Sequence, residues 1–203
     1  MAEMGLSSVR TTAKRDYLNQ ATREKKKDMD RQQFHADRPN QIWVSDVTYF
    51  KLEQNHFYVC VIIDLFSRKI ISYKISKKNS TQLVTSTFKM ACDTRQPYPG
   101  LIFHSDRGSQ YTSHRFFQLL HEHGMIQSFS NLGRPHDNAV AESFFASFKR
   151  EELYRKNYSS KKEFKQGVDS YITFYNQQRP HRTLKNKTPN QAEIEFALQQ
   201  PDM

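Results

Sequence analysis

The sequence predicts an α/β protein: a five-stranded mixed sheet, three antiparallel strands and then two more, flanked by helices. Three observations predict it. Three runs rich in β-branched and aromatic residues follow one another across short turns. The period then changes, and helical segments alternate with short apolar runs. The 203 residues include 15 Phe and 10 Tyr, enough bulk for one ordinary core and an extra arm.

Along the chain, "QIWVSDVTYF" (41–50) and "HFYVCVIID" (56–64) read as strands, the second a central one. "RKIISYKIS" (68–76) follows after a tight turn at Leu65–Ser67, so a meander is the natural arrangement. Ser80 or Thr81 can cap a helix whose apolar positions are Leu83, Val84, Thr87, Phe88 and Ala91, closed by Pro97, Pro99 and Gly100. "LIFHS" (101–105) is a short buried strand, Ser113–Gly124 a helix ending at glycine, and "MIQSFS" (125–130) a fifth strand. The loop "NLGRPHDN" (131–138) leads into a helix with the stripe Ala141, Phe144, Phe145 and Phe148, and Asp137 or Asn138 can cap it. Another helix covers roughly Lys161–Gln177 and ends before Pro180. The last begins at Thr188-Pro189, with Gln191 completing a capping box. Three regions emerge: a basic arm at 1–37, a core at 38–156, and a helical extension at 157–203 packed on the core.

The formal net charge of +10 points to a polyanionic partner, nucleic acid first. An anionic membrane surface is the second, weaker reading, because the longest apolar run, Phe57–Ile63, is far below the ~18–20 residues a spanning helix needs. The N-terminus lacks the order of a signal peptide. Cys60 and Cys92 form no metal or disulfide pattern and fit a reducing cytoplasm, Cys60 as a small core residue.

Three carboxylates stand out. Asp46 interrupts an aromatic strand, where an unpaired acid costs several kcal/mol. Asp106 follows the fourth strand, and Glu142 lies in the first turns of the phenylalanine-striped helix, with 35 residues between the two. Acids from two neighbouring strands (~4.8 Å apart) and a helix above them suit a pair of Mg²⁺ ions ~3.5–4 Å apart acting on a phosphodiester. Each acid also fits a bland role, Asp106 capping the turn at Arg107-Gly108 and Glu142 pairing with Arg or Lys. Spacing alone does not bring the three together. Asp64, beside Arg68, reads as one half of a local ion pair and is the main rival for a metal ligand.

"WVSDVTYF", "VIIDLFSRKIISYKIS", "FHSDRGSQYTS", "SFSNLGRPHDNAVAESFFASFKRE" and "YNQQRPHRTLKNKTP" occur in this order. Together they resemble the blocks of bacterial insertion-sequence transposases made from two overlapping reading frames. The resemblance covers about residues 31–195 and implies a ribonuclease-H-like DDE catalytic core similar to retroviral integrases. It implies that Asp46, Asp106 and Glu142 are the catalytic, metal-binding trio for two Mg²⁺ ions, with Mn²⁺ able to substitute. It implies hydrolysis at transposon ends and then strand transfer by the freed 3′-hydroxyl.

The same resemblance gives Lys149 the role of holding the DNA end. It lies seven positions after Glu142, nearly two turns and ~10.5 Å along one helix face. A solvated charge is its bland reading. Arg134, Asn138 and Arg150 are further candidate DNA contacts, and Asn138 equally fits a cap. Gly133 and Pro135 set the bend before the helix; Arg179, Pro180 and His181 suit packing beside the core. The arm resembles the remnant of a DNA-binding region.

Expected partners are DNA, both ends and target, further copies of the chain on DNA, and a companion DNA-binding reading-frame product. No membrane partner is expected, and the expected location is the bacterial cytoplasm, at the nucleoid. Two other readings belong to different classes: a truncated, non-catalytic DNA-binding regulator of transposition, and a ribonuclease-H-like nuclease that only hydrolyses.

Overall fold

A computed structural model describes residues 35–52, 54–130 and 139–199. The basic arm, apart from its last three residues, and the loop bearing Gly133, Arg134, Pro135, Asp137 and Asn138 lie outside the described residues.

Strands β1 (Ile42–Leu52), β2 (Asn55–Asp64) and β3 (Ile70–Ser76) form the antiparallel meander. Helix α1 (Thr81–Arg95) leads to β4 (Ile102–Ser105), and α2 (His114–Glu122) to β5 (Ile126–Phe129). The sheet order is β3-β2-β1-β4-β5, with β4 parallel to β1 and β5 parallel to β4. This is the ribonuclease-H-like arrangement, a mixed sheet that changes from antiparallel to parallel pairing at β1.

Local chemistry sets the helix ends. The Ser80 hydroxyl accepts the Leu83 N–H at the start of α1, and the Ser113 hydroxyl accepts the Phe116 N–H at the start of α2. Gly124, at φ 64°, takes the left-handed conformation that turns the chain from α2 into β5. Helix α3 (Ala139–Phe148) runs on into a π-helical turn, Lys149–Leu153. Helix α4 spans Lys161–Gln177. Helix α5 (Pro189–Gln199) opens with the capping box: the Thr188 N–H donates to Gln191 Oε1 at 2.9 Å, and the Gln191 N–H to Thr188 Oγ1 at 3.2 Å.

Alternation along the strands divides the core in two. On one face Val44, Val59, Val61 and Ile63 meet Phe144 and Phe148 of α3 and Phe164 and Tyr171 of α4. On the other, Trp43, Cys60, Ile62 and Phe103 meet Phe88 of α1 and Phe116 of α2. Both cysteines are free and buried. Among the described residues no helix is long and apolar enough to cross a membrane.

Beyond α3 the chain is tied back by charge. Arg179 donates through Nε and Nη2 to the two carboxyl oxygens of Glu151, at 2.9 and 2.8 Å. That fork holds the Glu151 carboxyl down at about 2. His181 packs edge-on against Tyr175, with ring centroids 4.6 Å apart. Glu193 of α5 accepts from Arg95, Lys69 and Ser67, so the last helix is bonded to the β2–β3 turn and to α1.

The expected Asp64–Arg68 ion pair does not form. Asp64 is fully buried at the end of β2, and its carboxylate accepts backbone N–H groups from Asn40 (2.7 Å), Phe66 (3.0 Å) and Ser67 (3.0 Å). A buried carboxylate at a tight turn is satisfied by nearby amides, which reach it at less entropic cost than a long guanidinium. Arg68 takes φ 61° and helps turn the chain.

Candidate active site

Register brings two of the acids side by side. Ser45 of β1 is paired with Ser105 of β4, the last rung of that parallel ladder. The next residues along the chain are Asp46, midway along β1, and Asp106, just past the end of β4, so the two acids follow one rung of neighbouring strands. At a strand spacing of ~4.8 Å they share one electrostatic environment. Asp46 is partly buried, whereas Asp106 is exposed on the rim. Glu142 is an exposed residue of the first turns of α3, the helix that packs over the Asp46 face of the sheet.

The charges act on one another. The Asp46 carboxyl is pushed up to about 6, first by burial and then by the negative charges of Asp106 and Glu142. The Val47 N–H, which donates to Asp46 Oδ1 at 2.7 Å, and the Lys149 ammonium pull the other way. Asp46, Asp106, Glu142 and Lys149 therefore form one electrostatic neighbourhood, drawn from β1, the loop after β4, and the helix above them.

Local bonds hold Asp106 in place. Its Oδ1 accepts the Gly108 N–H at 3.0 Å, so the turn-capping role and the exposed position coexist. A Cβ at Gly108 would stand 3.0 Å from Asp106 Oδ1 and 2.9 Å from Gln110 Oε1, which explains the glycine. Three residues on, the Tyr111 ring is buried against Phe103 and Phe116, and its hydroxyl shares a 2.8 Å hydrogen bond with Ser45. Ser45 also donates to the Val61 carbonyl at 2.9 Å, and Gln127 Nε2 to the Tyr111 carbonyl at 2.8 Å. The Asp106 loop is thus fastened to the residue preceding Asp46. Sequence reasoning missed Tyr111 and Ser45; the signal was a tyrosine inside an otherwise small and polar loop.

Among the described residues, no three Asp, Glu, His or Cys side chains close into a group that could hold a metal ion as they stand. The acids meet as interacting charges, not as a closed ligand set. Their chemistry nonetheless fits a hard divalent cation. All the donors are carboxylate oxygens, two of them are exposed, and their mutual repulsion is what a cation relieves. Mg²⁺ needs only one or two protein carboxylates and keeps several waters. Arg150 is exposed beside Lys149, its Nη2 3.7 Å from Glu151. Arg134 and Asn138 are outside the described residues.

Two models of the integrase core domain match the chain, over residues 36–135 and 123–189. The transposase for insertion sequence element IS904 of Lactococcus lactis is 40% identical over 161 residues, 79% of this chain and 64% of that protein. The putative transposase InsK for IS150 of Escherichia coli is 39% identical over 156 residues, 77% of this chain and 55% of that protein. The chain spans less than two thirds of the length of these relatives.

Among solved structures, the HTLV-2 integrase catalytic core domain in complex with magnesium matches with a TM-score of 0.63 at 20% identity, over 78% of this chain and 99% of that one. A chain of the simian T-cell lymphotropic virus intasome in complex with PP2A regulatory subunit B56 gamma matches with a TM-score of 0.67 at 20% identity, over 78% of this chain and 57% of that one. At that identity the likeness is one of fold.

Proposed function

The chain belongs to the integrase core family, with bacterial insertion-sequence transposases among its relatives, and on that premise we propose that it is the catalytic part of a DNA transposase. Asp46, Asp106 and Glu142 are its catalytic acids and hold two Mg²⁺ ions, for which Mn²⁺ substitutes. When bound, the ions neutralise charge on the scissile phosphate and on the leaving oxygen. The observation that carries this reading is the register that starts Asp46 and Asp106 from one rung, with Glu142 acting on Asp46.

The residues of the chain divide the remaining work. Asp46 forms the floor of the site, and Asp106 and Glu142 its rim. Lys149 offsets the three negative charges and holds a phosphate of the DNA end beside them. Water first cuts the strand at the element's end and leaves a 3′-hydroxyl. That hydroxyl then attacks a second phosphodiester, forming one P–O bond as another breaks, so no covalent link to the protein is needed. Arg150, Arg134 and Asn138 are proposed as further DNA contacts. Self-association on paired ends and a companion reading-frame product complete the assembly, in the cytoplasm at the nucleoid. Affinity carried by such phosphate contacts falls steeply with salt.

The test is an oligonucleotide assay with element-end duplexes and Mg²⁺ or Mn²⁺. Cut and joined products are expected. Cut products alone indicate a hydrolytic nuclease, and DNA binding without either product indicates a regulator.

Gly108 provides a finer check. An alanine Cβ there crowds Gln110, which can swing away, and Asp106, which cannot move without losing its bond to the Gly108 N–H. Gly108→Ala is expected to slow cleavage about 10- to 100-fold, the cost of a misplaced reacting group, with the melting temperature nearly unchanged. Wild-type cleavage rates in this variant would show that the Asp106 position tolerates the shift.

A further inference from the structure

Tyr49 lies three residues beyond Asp46 on β1, ~10 Å along the strand and on the other face of the sheet, and is 59% exposed. β4 pairs with β1 through Ser45 and no further, so this half of the strand borders the open end of the site. The Tyr49 ring is flanked by His56, with centroids 5.9 Å apart, and by Tyr58, at 6.4 Å, both presented by β2. Lys149 Nζ stands 5.9 Å from the centre of the same ring. That ammonium also acts on Asp46. One lysine therefore connects the acids to an exposed aromatic patch.

Strand propensity alone explains a tyrosine in β1. It does not explain why the ring is exposed in an aromatic group against which a cation from the Glu142 helix is placed. Aromatic faces next to positive charge are the means by which proteins hold unpaired nucleotides: any base stacks on the ring, and the cation takes the phosphate. The +10 charge of the chain favours the same ligand.

The geometry points to a nucleotide-stacking site in which Tyr49, backed by His56 and Tyr58, takes the face of one unpaired base of the DNA end, with Lys149 on the adjoining phosphate. The inference deepens the transposase reading and rests on it. Tyr49 is a positioning residue here: stacking one base outside the duplex frees the strand to bend its phosphate toward the acids. Recognition through a ring face is tolerant of sequence.

The experiment uses element-end duplexes with 2-aminopurine at successive positions near the cleavage point, fully paired or with the last pairs mismatched. The full chain is compared with Tyr49→Ala, Tyr49→Trp and, as an exposed aromatic elsewhere, Tyr98→Ala. Wild type and Tyr98→Ala are expected to quench one 2-aminopurine position. Tyr49→Ala should lose that quenching and cut paired ends about tenfold more slowly, with mismatched ends partly restored. Tyr49→Trp should retain both properties. If Tyr49→Ala quenches and cuts like wild type, the stacking site is wrong and the transposase reading stands. A wild type that quenches through Tyr49 but never cuts supports the site and sinks the enzymatic reading. A wild type that does neither overturns both.

Discussion

Asp46→Asn is expected to make the metal-free protein more stable at pH 7.5 while abolishing cutting and joining. The Asp46 carboxyl is raised from 3.8 to about 6 in the folded chain, by burial and then by Asp106 and Glu142. Folding therefore favours its protonated form. That contribution is fully present below pH ~4, the unfolded value, and is lost as pH rises through about 6. Near neutrality the ionised group opposes folding, by a difference on the order of 2–3 kcal/mol at 1.36 kcal/mol per pH unit. Asparagine removes the charge and can still accept the Val47 N–H. Denaturant titrations at pH 7.5 and pH 4 test this. The variant should be the more stable at pH 7.5, and the gap should close at pH 4. Added Mg²⁺ should stabilise the wild type and not the variant. Equal stability at both pH values would mean that folding does not raise the Asp46 carboxyl.

Phe144→Ala is expected to cost about 3–5 kcal/mol, in the range for burying and then deleting a phenylalanine. The ring is buried and lies within 5.0–6.3 Å, centroid to centroid, of Phe145, Phe148, Tyr171 and Tyr175. It joins α3 to α4 two residues after Glu142. At 2–4 °C per kcal/mol, the melting temperature should fall by roughly 10 °C. Phe88→Ala on the opposite face, where Phe88 packs edge-on against Phe103 and Phe116, should cost a similar amount. Well below both transitions, DNA cleavage should suffer in Phe144→Ala and much less in Phe88→Ala, because only the first loosens the seat of Glu142. Equal losses of rate would argue that α3 is not what positions the acid.

The limits of reading the sequence follow from which interactions are local. Strands β1 to β3 were legible because their β-branched and aromatic runs are long and their turns short. The caps at Ser80 and Thr188 were legible because cap and partner lie within three residues. The parallel pairing of β1 with β4 is non-local, and no residue spacing encodes the rung at Ser45 and Ser105 that sets Asp46 beside Asp106. The Asp64 error has the same root. A nearby arginine is visible in the sequence, whereas the amides of Asn40, Phe66 and Ser67 become available to Asp64 once the turn has formed. The Tyr111–Ser45 hydroxyl bond joins positions 66 apart in the chain and left no pattern to read. Nor did the π turn at Lys149–Leu153.

That wider turn has a mechanical result. An α-helix advances about 100° per residue, so accommodating an extra residue in one turn offsets everything downstream from what precedes it. Upstream, Glu142 keeps step with the phenylalanines that seat it; within the turn, Glu151 meets Arg179, and Glu152 reaches Lys156 and Tyr158. The two halves of this rod are geared independently, and losing residue 149 or 150 would swing the anchoring carboxylates off their partners without rotating the cutting one.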